Sequence, residues 1–130
     1  MKFLQPPNWP RPKGYANGVA AKGSLVFLSG MVGWNAGQEF AARDFAGQVR
    51  QALLNIVAVL DQANAKPEHI ARITWYVIDK SEYRAAARKM GVIYREIMGK
   101  HYPAMTVVEV SGLVEEKARV EIEVTAVVPE

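Results

Sequence analysis

The last apolar run of the chain alternates between two kinds of residue. Val120, Ile122, Val124 and Ala126 fall on one parity, and Arg119, Glu121, Glu123 and Thr125 on the other. Successive side chains of a strand point to opposite faces, so Glu121 and Glu123 share a face and could include a catalytic acid or base. A solvated or salt-bridged strand edge has the same pattern. A second candidate is "GYANG" at 14–18, where Tyr15 and Asn17 are hydrogen-bonding groups between glycines that let backbone approach a ligand. An ordinary turn has this composition too. The third is Ser29-Gly30, inside an apolar run where a glycine marks a bulge or a close approach. No Ser/His/Asp set, phosphate loop or dinucleotide fingerprint accompanies them.

Composition narrows the chemistry further. The chain has no cysteine, which excludes disulfides, Fe–S clusters, thiolate zinc and cysteine nucleophiles. His69 and His101 are far apart and lack ligand-like neighbours, so no metal site is expected. Sixteen basic and 13 acidic residues give a net charge of +3. The basic residues are scattered, and Glu82 and Glu96 interleave with Arg84, Arg88 and Arg95 on one helix face. A nucleic-acid footprint is more concentrated than this, and no nucleic-acid partner is expected. The opening "MKFLQPPNWPRP" has no signal-peptide core, and no apolar run approaches membrane-spanning length. A cytoplasmic protein with no membrane partner is expected.

One domain suits 130 residues. Residues 1–13, with four prolines, read as an extended lead-in, and 14–130 as a single domain. Residues 15–34 read as two short strands broken at Lys22-Gly23. From Asp44 to Ala63, Phe45, Val49, Ala52, Leu53, Ile56, Val59, Leu60 and Ala63 form a helical stripe, with Asp44 as N-cap and Asn64 and Pro67 as the stop. "ARITWYVID" at 71–79 is strand-like. Ser81 is placed as the cap of a second helix with Tyr83, Ala87, Met90, Ile93, Tyr94, Ile97 and Met98 inward, ended by Gly99. Two further strands flank Glu115-Glu116-Lys117. The order is β-β-α-β-α-β-β, an α+β fold with two helices on one face of one mixed sheet. "SLVFLSGMV" and its neighbours look apolar on both faces, which predicts that copies of the chain cover the second face in a symmetric oligomer.

Beyond these readings, the chain resembles the RidA/YjgF superfamily, the reactive-intermediate deaminases also described as the L-PSP endoribonuclease family. The resemblance runs from Tyr15 to Val128 through "GYANGV", "LVFLSGMVG", "QVRQALLNIVAVLDQANAKPEHI", "VIYREIMGKHYPAMTVVEVSGL" and "VEIEVTAVV". It implies a chorismate-mutase-like fold, a homotrimer whose sheets form a barrel, and small-molecule clefts between subunits. Well-known members hydrolyse 2-imino or enamine acids to 2-keto acids and ammonia without a cofactor, and none is expected here. Glu121 matches the glutamate that positions water, Tyr15 the pocket tyrosine, and Ser29-Gly30 the Ser-Gly backbone. The binding set implied is Ser29, Gly30, Met31, Asn17, Gly91, Met105 and Val107.

One member of the usual set is absent. Where these deaminases carry Pro-Ala-Arg, with the arginine gripping the substrate carboxylate, this chain has Pro103-Ala104-Met105. Val107 stands where a cysteine is common, and Gly91 where an asparagine precedes the helix tyrosine by three. Methionine is no donor, and a carboxylate left unpaired in such a site costs about 2–5 kcal/mol. The expected function is therefore deaminase-like hydrolysis of an imine or enamine lacking the usual carboxylate recognition, with little activity on 2-imino acids. The alternative is a non-catalytic trimer that binds a small molecule or regulates a partner. An endoribonuclease fits less well, for want of a basic stripe or paired histidines. Two questions stay open: whether Glu123 shares the role of Glu121, and whether the Trp34–Gly37 loop closes over the cleft.

Overall fold

The computed structural model describes all 130 residues. The alternating run is the longest strand, Val120–Val128 (β7), and the main sheet is built around it. Ser24–Phe27 (β3), Met31–Val32 (β4) and Ile70–Val77 (β5) all pair antiparallel with β7, while Ala104–Glu109 (β6) pairs parallel with β5. The order is β3-β7-β5-β6, with β4 also on β7. A parallel pair needs a long crossover. Here it is two helices, Lys80–Ala85 (α2) and Ala87–Met98 (α3), which lie beside the long helix Phe45–Gln62 (α1). The α+β class and the one-sided helix layer are as expected.

Within the lead-in, Lys2–Leu4 (β1) pairs with Gly18–Ala20 (β2) in a separate two-stranded sheet. The break at Lys22-Gly23 is therefore no hairpin turn, because β2 and β3 have different partners. Gly23 has φ +152°, and a Cβ there would lie 2.1 Å from the Val128 carbonyl oxygen, so only glycine fits. The strand expected to follow is split into β3 and β4. Between the pairs Phe27↔Thr125 and Met31↔Ile122, the β3–β4 side advances four residues and β7 three. That extra residue is a bulge, and Gly30 sits in it.

Asp44 caps α1 as expected, its carboxylate accepting from the Gly47 amide at 3.0 Å. The buried stripe is Phe45, Val49, Ala52, Leu53, Ile56 and Leu60; Val59 and Ala63 fall outside it and are exposed. The second helix departs further from expectation. Asp79, not Ser81, is the cap, accepting from the amides of Ser81 and Glu82. The helix is also broken at Ala86 into α2 and α3. Aspartate two residues upstream reaches the same orphan donors with a charged acceptor, which wins over a hydroxyl.

The core lies between α1, α3 and one sheet face: Leu53, Ile56 and Ile93 meet Ile73, Trp75, Val120, Ile122 and Val124. Gln48 is the one buried polar residue, and it ties α1 to the entry of β7. Its side-chain amide donates to the Lys117 and Ala42 carbonyls at 2.9 and 3.3 Å, and its carbonyl accepts from the Arg119 amide at 2.7 Å.

The other face of the sheet is open, and its composition differs from the expectation of two apolar faces. Its centre carries Thr74, Tyr76, Glu121, Glu123 and Thr125, and only its margins are apolar, with Leu25 61% and Phe27 72% exposed on β3. Adjacent apolar letters in "TWYVI" and "SLVFL" belong to opposite faces, so a run that looks two-sided in sequence resolves into one buried and one mixed face.

Candidate functional site

The Tyr15 segment is brought to β6 by backbone pairing. Ala16 bridges Ala104 in parallel register, and its amide donates to the Pro103 carbonyl at 2.9 Å. Met105 and Val107, opposite Ile73 and Trp75 on β5, point to the helix-covered side. Between this sheet edge, α3 and residues 13–15 lies a cavity of about 300 Å³. Tyr15, Gly91, Met105 and Val107 all line it, together with Lys13, Trp75, Tyr83, Ala87, Met90, Tyr94 and Tyr102. A Cβ on Gly91 would touch only Arg95 Nη1, at 3.5 Å. The glycine thus leaves open space in the cavity wall.

The walls are aromatic and hydrogen-bonded internally. Tyr94 donates its hydroxyl to the His101 carbonyl at 2.6 Å and stacks on Tyr102, ring centroids 5.4 Å apart. Trp75 and Tyr83 meet edge to face at 6.3 Å. Burial pushes the Tyr94 phenol far above its ordinary pKa, with a smaller contribution from Tyr102, and burial raises Tyr83 as well. Both stay neutral near pH 7. The Trp75 indole N–H is buried without an acceptor. Lys13 is the one charged residue lining the cavity, and it forms no ion pair within the chain.

Glu121 is elsewhere. It pairs with Tyr76 across β5, on the parity opposite to Trp75, and so lies on the open face. Its carboxylate packs against the bulge: a Cβ on Gly30 would fall 2.3 Å from Glu121 Oε2. The close approach signalled by Gly30 is thus made by the chain's own glutamate. The two acidic residues of β7 are also separated in role. Glu123 accepts from the Tyr76 hydroxyl at 2.7 Å, a bond that raises the Tyr76 pKa, aided by desolvation and the nearby negative charges. Glu121 has no hydrogen-bond or ion-pair partner in the chain and is half-buried.

The expected residues therefore form two groups on opposite sides of one sheet. Tyr15, Gly91, Met105 and Val107 make one; Ser29, Gly30 and Glu121 make the other. Met31 packs into the core, and Asn17 donates to the Gln5 side chain at 2.7 Å beside β1; neither lines the cavity. The Trp34–Gly37 loop is also away from it, folded on Asn35, which accepts from the Gly37 and Glu39 amides. The cavity residues that sequence reading did not assign to a site are Lys13, Gly14, Trp75, Tyr83, Ala87, Met90, Tyr94 and Tyr102. Five of these sit on α2, α3 or β5 at positions read as inward-facing or strand-like, a signal that packing alone also produces.

A sheet covered by helices on one side, with a carboxylate resting on a glycine bulge and an aromatic cavity beside the parallel strand pair, defines a small α+β domain with a one-sided helix layer. No helix is long and apolar enough to cross a membrane. The profile of the endoribonuclease L-PSP family matches residues 9–128. A RutC family protein of Aquifex aeolicus is 32% identical over 128 residues, covering 98% of this chain and 99% of that one. A 2-iminobutanoate/2-iminopropanoate deaminase of Salmonella typhimurium is 30% identical over 116 residues, 87% of this chain and 86% of that one. Among solved structures, a protein of unknown function of the Rid family from Yersinia pestis superposes with a TM-score of 0.83 at 26% identity, covering 98% of each chain. The chain belongs to this L-PSP endoribonuclease family, the RidA/YjgF superfamily.

Proposed function

We propose that the chain is a cofactor-independent hydrolase of a reactive imine or enamine, working as a homotrimer whose inter-subunit clefts join the two groups of residues. In such a cleft the Glu121 group of one copy meets the cavity of the next. The observation that carries this reading is the free, half-buried Glu121 carboxylate held against Gly30, on the side of the sheet away from the cavity. Neither group is complete alone, and the exposed Leu25 and Phe27, on the same face of the sheet as Glu121, offer an apolar margin for a second copy. The deaminase relative from Salmonella typhimurium supports the reaction class.

The chemistry assigned is hydrolysis. Glu121 accepts a proton from water as the water oxygen bonds to the C=N carbon, and the former double-bond electrons go to nitrogen. Glu121 returns that proton to the nitrogen, giving a carbinolamine; it then carries the hydroxyl proton to the same nitrogen, so that the C–N bond breaks, the carbonyl forms and ammonia leaves. Tyr15 donates a hydrogen bond to the substrate, and the backbone at Gly30 orients it. Met105 and Val107 supply an apolar wall where a charged donor would bind a small acid.

Ammonia release tests the reading. Glu121→Gln abolishes turnover on any imine the chain accepts, whereas unchanged turnover removes Glu121 from the mechanism. On 2-iminopropionate the wild-type rate is low, and Met105→Arg raises it by about 30-fold, the lower end of the 2–5 kcal/mol attached to a desolvated charge pair. A wild-type rate equal to that of an arginine-bearing relative would refute the role given to Met105.

A further inference from the structure

The cavity beside Met105 has features that the loss of an arginine does not explain. An apolar cavity at an enzyme's binding site can accept many shapes, but this one is walled by rings. Trp75, Tyr83, Tyr94 and Tyr102 contribute flat faces or edges, in two pairs whose mutual geometry is already set, stacked for Tyr94–Tyr102 and edge to face for Trp75–Tyr83. Such surfaces favour planar ligands, through offset-stacked and edge contacts. The volume, about 300 Å³, is at the small end of the range of roughly 300–1,000 Å³ for ligand sites. One ring with a short substituent suits it better than a fused system.

The charge bordering the cavity is cationic: Lys13 lines it, and Arg95 Nη1 lies 3.5 Å from where a Cβ on Gly91 would stand. Met105 and Val107 offer an anion nothing along the sheet wall. Lys13, exposed and without an ion pair in the chain, stands at the mouth as the only charged lining residue. A quaternary or primary ammonium ligand, otherwise well suited to an aromatic box, meets like charge there. An anionic group on a ring seated in the cavity meets opposite charge.

We infer that the cavity takes a planar, single-ring acid, its ring held between the aromatic walls and its anionic group turned out to Lys13. This inference rests on the reading of the cavity as the substrate-binding half of the proposed site. It makes the chain selective for an aryl-bearing or cyclic conjugated substrate over a short aliphatic one, with acid recognition moved from the sheet wall to the mouth.

Benzoate, benzamide and acetate are sufficient probes. In full-length chain labelled with ¹⁵N, the three tryptophans give three indole N–H signals, and Trp75→Phe identifies the one in the cavity. Benzoate shifts the Trp75 signal and leaves Trp34 unmoved, with benzamide weaker and acetate without effect at the same concentration. Lys13→Gln weakens benzoate about two- to fivefold, the size of an exposed charge pair, and leaves benzamide unchanged. Added salt weakens benzoate in the wild type and not in the variant. Equal binding of benzamide and benzoate, an unaffected Lys13→Gln, or acetate acting like benzoate overturns the inference. Repeating the titration in Glu121→Gln separates it from the proposed reaction. Binding that persists with turnover lost supports both readings. Turnover on an imine with no benzoate binding overturns the ligand class alone, and benzoate binding with no turnover in the wild type overturns the reaction alone.

Discussion

Gly30 and Glu121 should be energetically coupled, and the structure sets the size of the effect. A Cβ on residue 30 would lie 2.3, 2.8 and 2.9 Å from Oε2, Cδ and Cγ of Glu121, where non-bonded heavy atoms settle at about 3.5–4.0 Å. Three atoms of the side chain are violated at once, so a small rotation of the carboxylate does not relieve the contact. The whole side chain must leave its position, or the bulge must open. Overpacking of this kind costs about 1–3 kcal/mol. The backbone itself does not resist, because Gly30 is not among the glycines with positive φ. In the absence of the clash, alanine there would stabilise by about 0.4–1 kcal/mol through the unfolded chain. Gly30→Ala should therefore destabilise the wild type by about 1–2 kcal/mol. In a Glu121→Ala background it should be neutral or slightly stabilising, a coupling of about 1–3 kcal/mol. Urea unfolding followed by tryptophan fluorescence, at one fixed protein concentration so that assembly does not shift the comparison, measures all four corners. Effects that add to within about 0.5 kcal/mol would mean that Glu121 does not occupy this place against the bulge. The same variant tests the site, since Gly30→Ala leaves the carboxylate chemically intact and removes only its position. Its turnover should fall toward that of Glu121→Gln.

Two further predictions concern the frame. Gln48→Leu removes the partners of the Lys117 carbonyl and the Arg119 amide; with Lys117 exposed and Arg119 half-buried, each orphaned group costs about 1 kcal/mol, the low end for such groups. The melting temperature should fall by about 5–10 °C in scanning calorimetry; a change near zero would mean that the latch between α1 and β7 is dispensable. The second concerns tyrosine ionisation at high pH. Tyr76 is raised mainly by its hydrogen bond to Glu123, and Tyr83 and Tyr94 by burial. Unfolded tyrosines ionise near pH 10, so the unfolded chain releases these protons first. This contribution to stability is intact below about pH 10 and is lost as pH rises through the folded values. An ultraviolet titration should show three of the five tyrosines ionising late, with Glu123→Gln returning Tyr76 toward the ordinary range. Uniform titration of all five would refute the buried and bonded placement.

Local pattern was enough for much of the fold. The period-2 alternation of residues 120–126 and the three–four spacing from Phe45 to Leu60 each imply one buried face, and both faces are buried in the structure. The Asp44 cap needs only its own neighbours. Expectation and structure differ where two local solutions compete. Asp79 and Ser81 can both cap the next helix, and the amides went to the charged acceptor. In β5, neighbouring apolar letters conceal the polar centre formed by Thr74 and Tyr76, whereas β3 carries apolar residues on both faces as expected.

The candidate site divides along the same line. The residue types were legible in the chain: a glutamate on a clean strand face, a glycine marking a close approach, and a methionine where the related deaminases have arginine. Their parities even implied faces within each strand. What only the tertiary structure decided was the relation between strands. Register across β7, β5 and β6 sets Glu121 on one side of the sheet and Met105 on the other, and pairing between Ala16 and Ala104 brings Tyr15 to Met105 rather than to Glu121. Side-chain alternation follows from the backbone geometry of a few consecutive residues, whereas strand register is a choice among partners far apart in sequence, settled by the packing of the whole core.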